Sequence, residues 1–175
     1  MTDETSSIGL LKYDNEMQWH TTPLLDFPAL NSSKAEVIIE DFTRQNENHL
    51  ADAIRNLQNL SPTMMNAQNA EIFRYYQDCK RAFDHGSRIE TQNDVWSHTR
   101  FSGEIVASFD RHNPETVYLS VTFECDWEPE HGLQVVFKNG RDICKIGSFD
   151  GHTTNVEAFG RPDFESKIYV SPGDL

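Results

Sequence analysis

The chain of 175 residues carries 15 Lys and Arg against 28 Asp and Glu, a formal net charge of −13 at pH 7. That sign repels phosphate backbones and anionic membrane surfaces alike, which argues against nucleic-acid binding and peripheral membrane binding. A hydrophobic fraction of 37%, including eleven Phe, is enough for the core of one domain of this length. We therefore predict a single domain spanning residues 1–175.

Two features of the sequence predict a cytoplasmic location. The longest apolar runs are a few residues, and MTDETSSIG lacks the basic start and apolar stretch of a signal peptide. The three cysteines are odd in number and show no CxxC spacing, which is typical of reduced thiols. No Gly-rich phosphate-binding loop of the type GxxxxGK[ST] or GxGxxG is present, so the sequence predicts no cofactor.

The N-terminal part predicts short strands, with Val37 and Ile39 on one face of the last of them. Asp14-Asn15-Glu16 separates two alternating segments and predicts a hairpin. The elements in chain order are a frayed start at 1–7, strands at 8–13 and 17–21, a Pro-containing loop at 23–33 and a strand at 35–42.

The middle of the chain predicts two antiparallel helices, because apolar residues recur there at steps of three and four. Ser61-Pro62 is suited to start the second helix, and Gly86 to stop it. Its apolar stripe runs from Met65 to Phe83. Tyr75 and Tyr76 point in different directions, so we expect one of them at a surface or interface. The helices are predicted at about 46–60 and 62–85.

The C-terminal half predicts a strand meander over residues 95–170. Val117 to Cys125 is its most regular alternation, and Asn139-Gly140 is the strongest short-range hairpin signal in the chain. Cys125 and Cys144 are expected on buried faces. Together with the N-terminal part (8–86), this indicates an α+β fold, a mostly antiparallel sheet with the helical pair packed on one face.

The candidate site lies at ECDWEPEHGL, residues 124–133, which contain no basic residue. The carboxylates of Glu124, Asp126 and Glu128 are two residues apart, so we expect them to share one face of an extended strand. Pro129 is expected to end that strand. The segment from Ser148 to His152 follows the strand predicted at 141–147, and we expect it to approach the same end of the sheet. The candidate binding residues are Glu124, Asp126, Glu128, Glu130, His131, Asp150 and His152.

Three interpretations of these residues remain open. Carboxylates on an exposed strand are most often simply solvated. Oxygen ligands with one or two imidazoles also suit a divalent cation, although no calcium-loop, HExxH or paired CxxC motif is present. A basic protein partner is the third possibility.

An enzyme is possible, but no recognisable catalytic motif supports one. Cys125 with His131 or His152 is one conceivable nucleophile pair, yet Cys125 shares the face of Val121 and Phe123 and is expected to be a buried small hydrophobe. Ser and Thr candidates lack a GxSxG context.

Several motifs resemble a group of uncharacterised bacterial domains. They are G-x-L-x-Y-D…W from Gly9 to Trp19, the strand VIIE at 37–40 with the helical pair, W-x-x-E-H-G from Trp127 to Gly132, and G-x-x-D-G-H from Gly147 to His152. The resemblance implies a small cytoplasmic protein without an assigned reaction, some of whose relatives are similar to toxin-immunity proteins. It implies no catalytic residues.

Two functions from different classes follow. The first is a non-enzymatic acidic module that binds a basic protein partner, since complementary charge speeds and orients association. The second is a divalent-metal-binding module or metal-dependent hydrolase that uses residues 124–131 and 150–152.

Overall fold

A computed structural model describes residues 4–30, 33–83 and 86–175. Nine strands form a mostly antiparallel sheet, in the order β1-β2-β3-β5-β6-β7-β8-β9, with β4 paired beside β5. The strands are β1 (Glu4–Ser6), β2 (Gly9–Asp14), β3 (Trp19–Thr21), β4 (Leu25–Phe27), β5 (Ser33–Ile39), β6 (Thr99–Phe109), β7 (Val117–Cys125), β8 (Glu128–Lys138) and β9 (Asp142–Gly147).

Helices accompany the sheet, so the predicted α+β class is confirmed. The α-helices are α1 (Glu47–Gln58), α2 (Pro62–Asn66), α3 (Asn69–Ala82) and α4 (Asn155–Phe159), and 3₁₀ turns cover Gln92–His98, Pro162–Phe164 and Pro172–Asp174. Among the described residues, no helix has the length and apolar character needed to cross a bilayer.

The residue contacts divide the chain into two compact units. The first comprises residues 1–60, 103–121 and 137–142, and the second comprises 61–102, 122–136 and 143–175. Each has its own fully buried side chains. In the first these include Leu11, Val37, Ile39 and Ile54, and in the second they include Ile72, Tyr76, Trp127 and Leu133.

The N-terminal hairpin is confirmed, and two neighbouring predictions are wrong. β2 and β3 pair antiparallel, with Lys12 opposite Thr21. Residues 4–6, expected to be frayed, form β1 against β2. The segment 23–33, expected to be a loop, contains β4 paired with β5. Its two prolines lie outside β4, so they remove no ladder hydrogen bond, and Phe27 is fully buried.

The predicted helix over 62–85 is interrupted and shorter. Ser61 accepts a hydrogen bond from the Thr63 amide, as expected of a cap, but α2 and α3 are separated at residues 67–68. α3 ends at Ala82, and Phe83 is exposed rather than part of the buried stripe. The expected end at His85 lies outside the described residues. α1 belongs to the first unit and α2 and α3 to the second, so their hairpin packing stays a prediction.

The expectation that either Tyr75 or Tyr76 reaches a surface is wrong. Both side chains are buried, and both rings meet Trp127 edge-on, at 6.2 and 6.0 Å between centroids. Each hydroxyl finds a partner inside the protein. Tyr75 donates to the carbonyl of Gly132, and the Tyr76 oxygen accepts from the amide of Ile89. Internal partners therefore remove the need for solvent at either phenol.

The hairpin between β8 and β9 is confirmed. Asn139 and Gly140 have φ of 53° and 67°, the positive values that a type I′ turn requires. The Asn139 side-chain oxygen also accepts a hydrogen bond from the amide of Val117 at 2.9 Å. The turn is thus held by a side-chain contact in addition to its local backbone preference.

Candidate functional site

The candidate site is a groove of about 590 Å³ in the second unit. We call it the acidic groove. It contains four carboxylates, two imidazoles and one guanidinium. It is lined by Ser97, His98, Thr99, Arg100, Ser102, Thr122, Phe123, Glu124, Cys125, Asp126, Glu128, Pro129, Glu130, His131 and Gly132.

One side of the groove is built by the segment that leads into β6. Thr91 and Asp94 form a capping box that starts the 3₁₀ turn, and the turn delivers His98 to the groove. The His98 carbonyl accepts from the amide of Asp126 at 3.1 Å, and His98 Nδ1 lies 2.9 Å from the Asp126 carboxylate. Backbone and side chain together fix His98 beside Asp126.

The expected shared face of Glu124, Asp126 and Glu128 is wrong. β7 ends at Cys125, and Glu128 begins β8. The two residues between them, Asp126 and Trp127, form a turn. Two of the carboxylates also have basic partners from outside the segment, because Glu124 forms an ion pair with Arg100 and Asp126 contacts His98. The Arg100–Glu124 pair is largely exposed, so solvent screens it, whereas His98 is half-buried.

Glu128 has a different role from its acidic neighbours. It is buried, and its carboxylate accepts hydrogen bonds from the backbone amides of His131 and Gly132. Gly132 has φ of +67°, and a Cβ there would lie 2.4 Å from the carbonyl oxygen of Phe123. The prediction that Pro129 ends the strand is wrong, because Pro129 lies inside β8. Glu128 therefore holds an irregular part of β8 in place.

We predict that Glu128→Gln destabilises the protein by about 1–2 kcal/mol, because two amides lose a charged acceptor in a buried position. Glu130→Gln is the matched control. It makes the same chemical change two residues away on an exposed side chain, and we expect a change within about 0.5 kcal/mol. Urea denaturation of both variants measures the difference. Equal midpoints for the two variants would contradict the role assigned to Glu128.

Asp150 and His152 are not among the residues that line the acidic groove. Asp150 forms an ion pair with the buried Lys145. Lys145 Nζ also donates to the side-chain oxygen of Gln134 at 2.9 Å and to the carbonyl of His152 at 3.0 Å. The His152 ring is exposed. No local sequence pattern indicates this arrangement, because a lysine in a strand is normally expected to face solvent.

The thiols follow the expectation in one case and not in the other. Cys125 is buried, and burial raises the pKa of its thiol to about 12, which suits a small hydrophobe and not a nucleophile. Cys144 is only half-buried. Its strand neighbours Ile143 and Lys145 are buried, and neighbours on a strand point to the opposite face. Its sulfur lies 3.5 Å from the carbonyl of Val136.

Within the described part of the chain, one group of side chains has the geometry of a possible metal site. Single ligand atoms of Glu128, Glu130 and His131 all lie within 4.8 Å of one another. One oxygen of Glu128 accepts two backbone amides, and the other lies 3.5 Å from His131 Nδ1. His98 and Arg100, which sequence reasoning missed, line the same groove. They are distant in sequence from residues 124–133, so no local motif predicts that they join this segment.

The domain family described as "Domain of unknown function (DUF6985)" matches residues 7–153. The chain belongs to this family. The match includes every residue of the acidic groove as well as Lys145 and Asp150, and it confirms the predicted resemblance to uncharacterised domains. The bacterial origin, the W-x-x-E-H-G signature and the similarity to immunity proteins stay predictions. No curated protein and no solved structure matches the chain.

Proposed function

We propose that this DUF6985 protein is a non-enzymatic binding module whose acidic groove receives basic side chains of a protein partner. The observation that carries the proposal is the composition of the groove, which is lined by four carboxylates, three of them exposed, and by one guanidinium. Glu124 and Asp126 are each more than 60% exposed, so a partner can reach them. Glu130 is exposed as well.

The ion pairs within the groove support exchange with a partner. The exposed Arg100–Glu124 pair contributes little to stability, so a lysine or arginine from a partner can replace Arg100 at small cost. The overall charge of −13 acts in the same direction by attracting a basic protein over longer distances. One form of such binding is immunity, in which the protein neutralises a basic toxin in the cytoplasm.

The test uses a protein with Glu124→Gln, Asp126→Asn and Glu130→Gln together, and leaves the structural Glu128 intact. We expect binding of a fluorescent oligo-lysine peptide to weaken by about tenfold, the effect of three exposed charge contacts of about 0.5 kcal/mol each. Fluorescence anisotropy at several salt concentrations measures the affinity, and we expect the difference to shrink as salt rises.

The control must separate a groove from general acidity, since any protein of this charge attracts a polycation. A protein with Glu16→Gln, Glu115→Gln and Glu165→Gln undergoes the same change in net charge at exposed positions outside the groove. We expect it to bind nearly as tightly as the unmodified protein. Equal losses in the two triple variants would overturn the proposal.

The second candidate function is divalent-metal binding by Glu128, Glu130 and His131, favoured by the proximity of their ligand atoms. A ligand that binds only the folded state raises the melting temperature. A melting scan with Ca²⁺, Mn²⁺ and Zn²⁺ at about millimolar concentration is the test. A shift that His131→Ala and Glu130→Gln abolish would favour the metal over the basic partner. Unchanged melting with each ion removes this candidate.

A further inference from the structure

A second concavity of the second unit, which we call the apolar pocket, is lined mainly by apolar side chains. Its volume is about 280 Å³, and its lining comes from α3, the end of β9, α4 and the segment at 169–172. Four of the lining side chains are aromatic, those of Tyr75, Phe83, Phe159 and Tyr169. Phe83 and Phe159 are exposed, so a ligand that covers them removes apolar surface from water.

Hydrogen bonds connect the elements around the apolar pocket. The amide of Ile146 at the end of β9 donates to the carbonyl of Ile168 at 2.7 Å. The next residue, Tyr169, donates from its hydroxyl to the carboxylate of Asp78 on α3 at 2.8 Å. The segment that contains Tyr169 is therefore tied both to the sheet and to a helix, and these contacts hold the walls of the pocket without a ligand.

Asn155 in the first turn of α4 supplies a hydrogen-bond acceptor that has no partner. The residue is only 3% exposed, and its side-chain nitrogen donates to the carbonyls of Lys167 and Ile168 at 2.7 and 3.0 Å. Carbonyl groups only accept hydrogen bonds, so the nitrogen must face them and the oxygen Oδ1 must face away. Among the described residues, none donates a hydrogen bond to Oδ1.

The apolar pocket is the space from which this oxygen can be reached. Asn155 is one of its lining residues. Oδ1 is not sealed inside the protein, because in the described part of the chain the sealed polar side-chain atom without a partner is Trp127 Nε1. An acceptor held in one orientation beside apolar walls favours a ligand that brings one N–H or O–H donor. Ser148 also lines the pocket, but its hydroxyl can donate or accept and so does not select between ligands.

The charged side chains of the lining already have partners of opposite sign. Asp150 forms an ion pair with the buried Lys145, and Asp78 forms one with Arg81. A ligand carboxylate would have to compete with Asp150 for Lys145, and a ligand ammonium would lie near the charge of Lys145. Breaking a buried pair or adding a like charge is costly, so the lining favours an uncharged ligand.

We propose that the apolar pocket binds a small, uncharged aromatic molecule with one N–H or O–H donor, such as an indole, and that Asn155 Oδ1 accepts this hydrogen bond. Aromatic rings pack favourably on one another both edge to face and offset, so the four aromatic side chains suit such a ligand in several orientations. A ring without a donor would cover the acceptor and leave it unsatisfied. The apolar pocket shares no lining residue with the acidic groove, so this proposal does not depend on the function proposed for that groove.

Indole and benzofuran test the hydrogen bond, because the two molecules have nearly the same shape and benzofuran carries an oxygen in place of the N–H group. We expect indole to bind saturably in an NMR titration and benzofuran to bind about fivefold more weakly, the ratio that one neutral hydrogen bond provides. Nuclear Overhauser contacts from indole to Phe83 and to the side-chain amide of Asn155 locate the ligand. Equal binding of the two molecules, or no saturable binding of indole, would overturn the proposal.

A third ligand distinguishes a free molecule from a side chain of another protein. N-acetyl-tryptophan amide is uncharged and attaches the same ring to peptide groups. The volume of the apolar pocket lies below the roughly 300–1,000 Å³ that is typical of pockets for drug-sized ligands, so we expect indole to bind more tightly than the amide. Tighter binding of the amide would assign the pocket to a tryptophan of a partner protein and contradict the proposal of a free molecule.

Variants identify the residues involved. Asn155→Ala removes the acceptor and should reduce the ratio of the indole and benzofuran affinities to about one, with thermal melting to verify folding. Phe83→Ala removes an exposed ring of the lining and leaves Asn155 intact, so we expect both ligands to bind roughly two- to fivefold more weakly with their ratio unchanged. Leu24→Ala shortens an exposed apolar side chain of the first unit and should leave both affinities unchanged. Equal losses in Phe83→Ala and Leu24→Ala would contradict the assignment.

Discussion

Gly140→Ala is expected to destabilise the protein by about 3 kcal/mol or more, one of the two largest effects that we predict. Two costs add at this position. The positive φ of 67° strains an alanine, and a Cβ would lie 1.9 Å from the carbonyl oxygen of Ala53 in α1. The backbone of a helix cannot move aside as a flexible side chain can, so the turn or the helix must shift. The free energy of unfolding from urea denaturation measures the loss.

Gly151→Ala is the matched control for this prediction. Gly151 also has positive φ, at +79°, but a Cβ there would have no heavy atom within 4 Å. Only the backbone strain remains, so we expect a loss of about 1 kcal/mol. The difference between the two variants isolates the contact between the β8–β9 turn and α1. Similar losses at both positions would show that this close approach is absent in solution.

Asp150→Asn is expected to destabilise the protein by about 2–3 kcal/mol, because it leaves the charge of Lys145 without a counter-ion. The Lys145 side chain is only 2% exposed, whereas Asp150 is 36% exposed, so the loss falls below that for a fully buried pair. Asn still accepts the hydrogen bond from the His152 amide, which confines the change to the charge. Asp52→Asn breaks an exposed pair with Arg55 and should leave the midpoint unchanged.

The pH dependence of this variant gives an independent measurement. Burial lowers the pKa of Lys145, although Asp150 opposes the shift. Between the lowered pKa and the ordinary value near 10.4, the unfolded chain binds more protons than the folded one, so stability rises with pH. Removing the charge of Asp150 lowers the folded pKa further. The deficit of Asp150→Asn relative to the unmodified protein should therefore shrink between about pH 7 and pH 10.

A double variant removes the unpaired charge itself. Lys145→Met with Asp150→Asn replaces the ammonium by an apolar side chain of similar length, and it should be more stable than Asp150→Asn alone. Gln134 then loses the donor at its side-chain oxygen, so recovery is incomplete. A double variant less stable than Asp150→Asn would mean that the hydrogen bonds of Lys145, and not its charge, dominate.

The sequence by itself determined the elements whose signals are local. The alternation from Val117 to Cys125 matches β7 at both ends, Asn139-Gly140 forms the expected turn, and the stripe of α1 is buried as predicted. In each case the information lies within a few neighbouring residues, as side-chain period or as a preference for positive φ. The same reasoning gave the α+β class and directed attention to residues 124–131.

Only the tertiary structure decided which of the acidic residues act together. Periodicity assigned Glu128 to an exposed face with Glu124 and Asp126, whereas a turn at Asp126 and Trp127 directs it inward to two backbone amides. Arg100 comes to the groove from β6 and His98 from the 3₁₀ turn before it, and Asp150 pairs with Lys145 instead of lining the groove. Whether a carboxylate is solvated, paired or buried depends on residues distant in sequence, and no local pattern of charges contains that information.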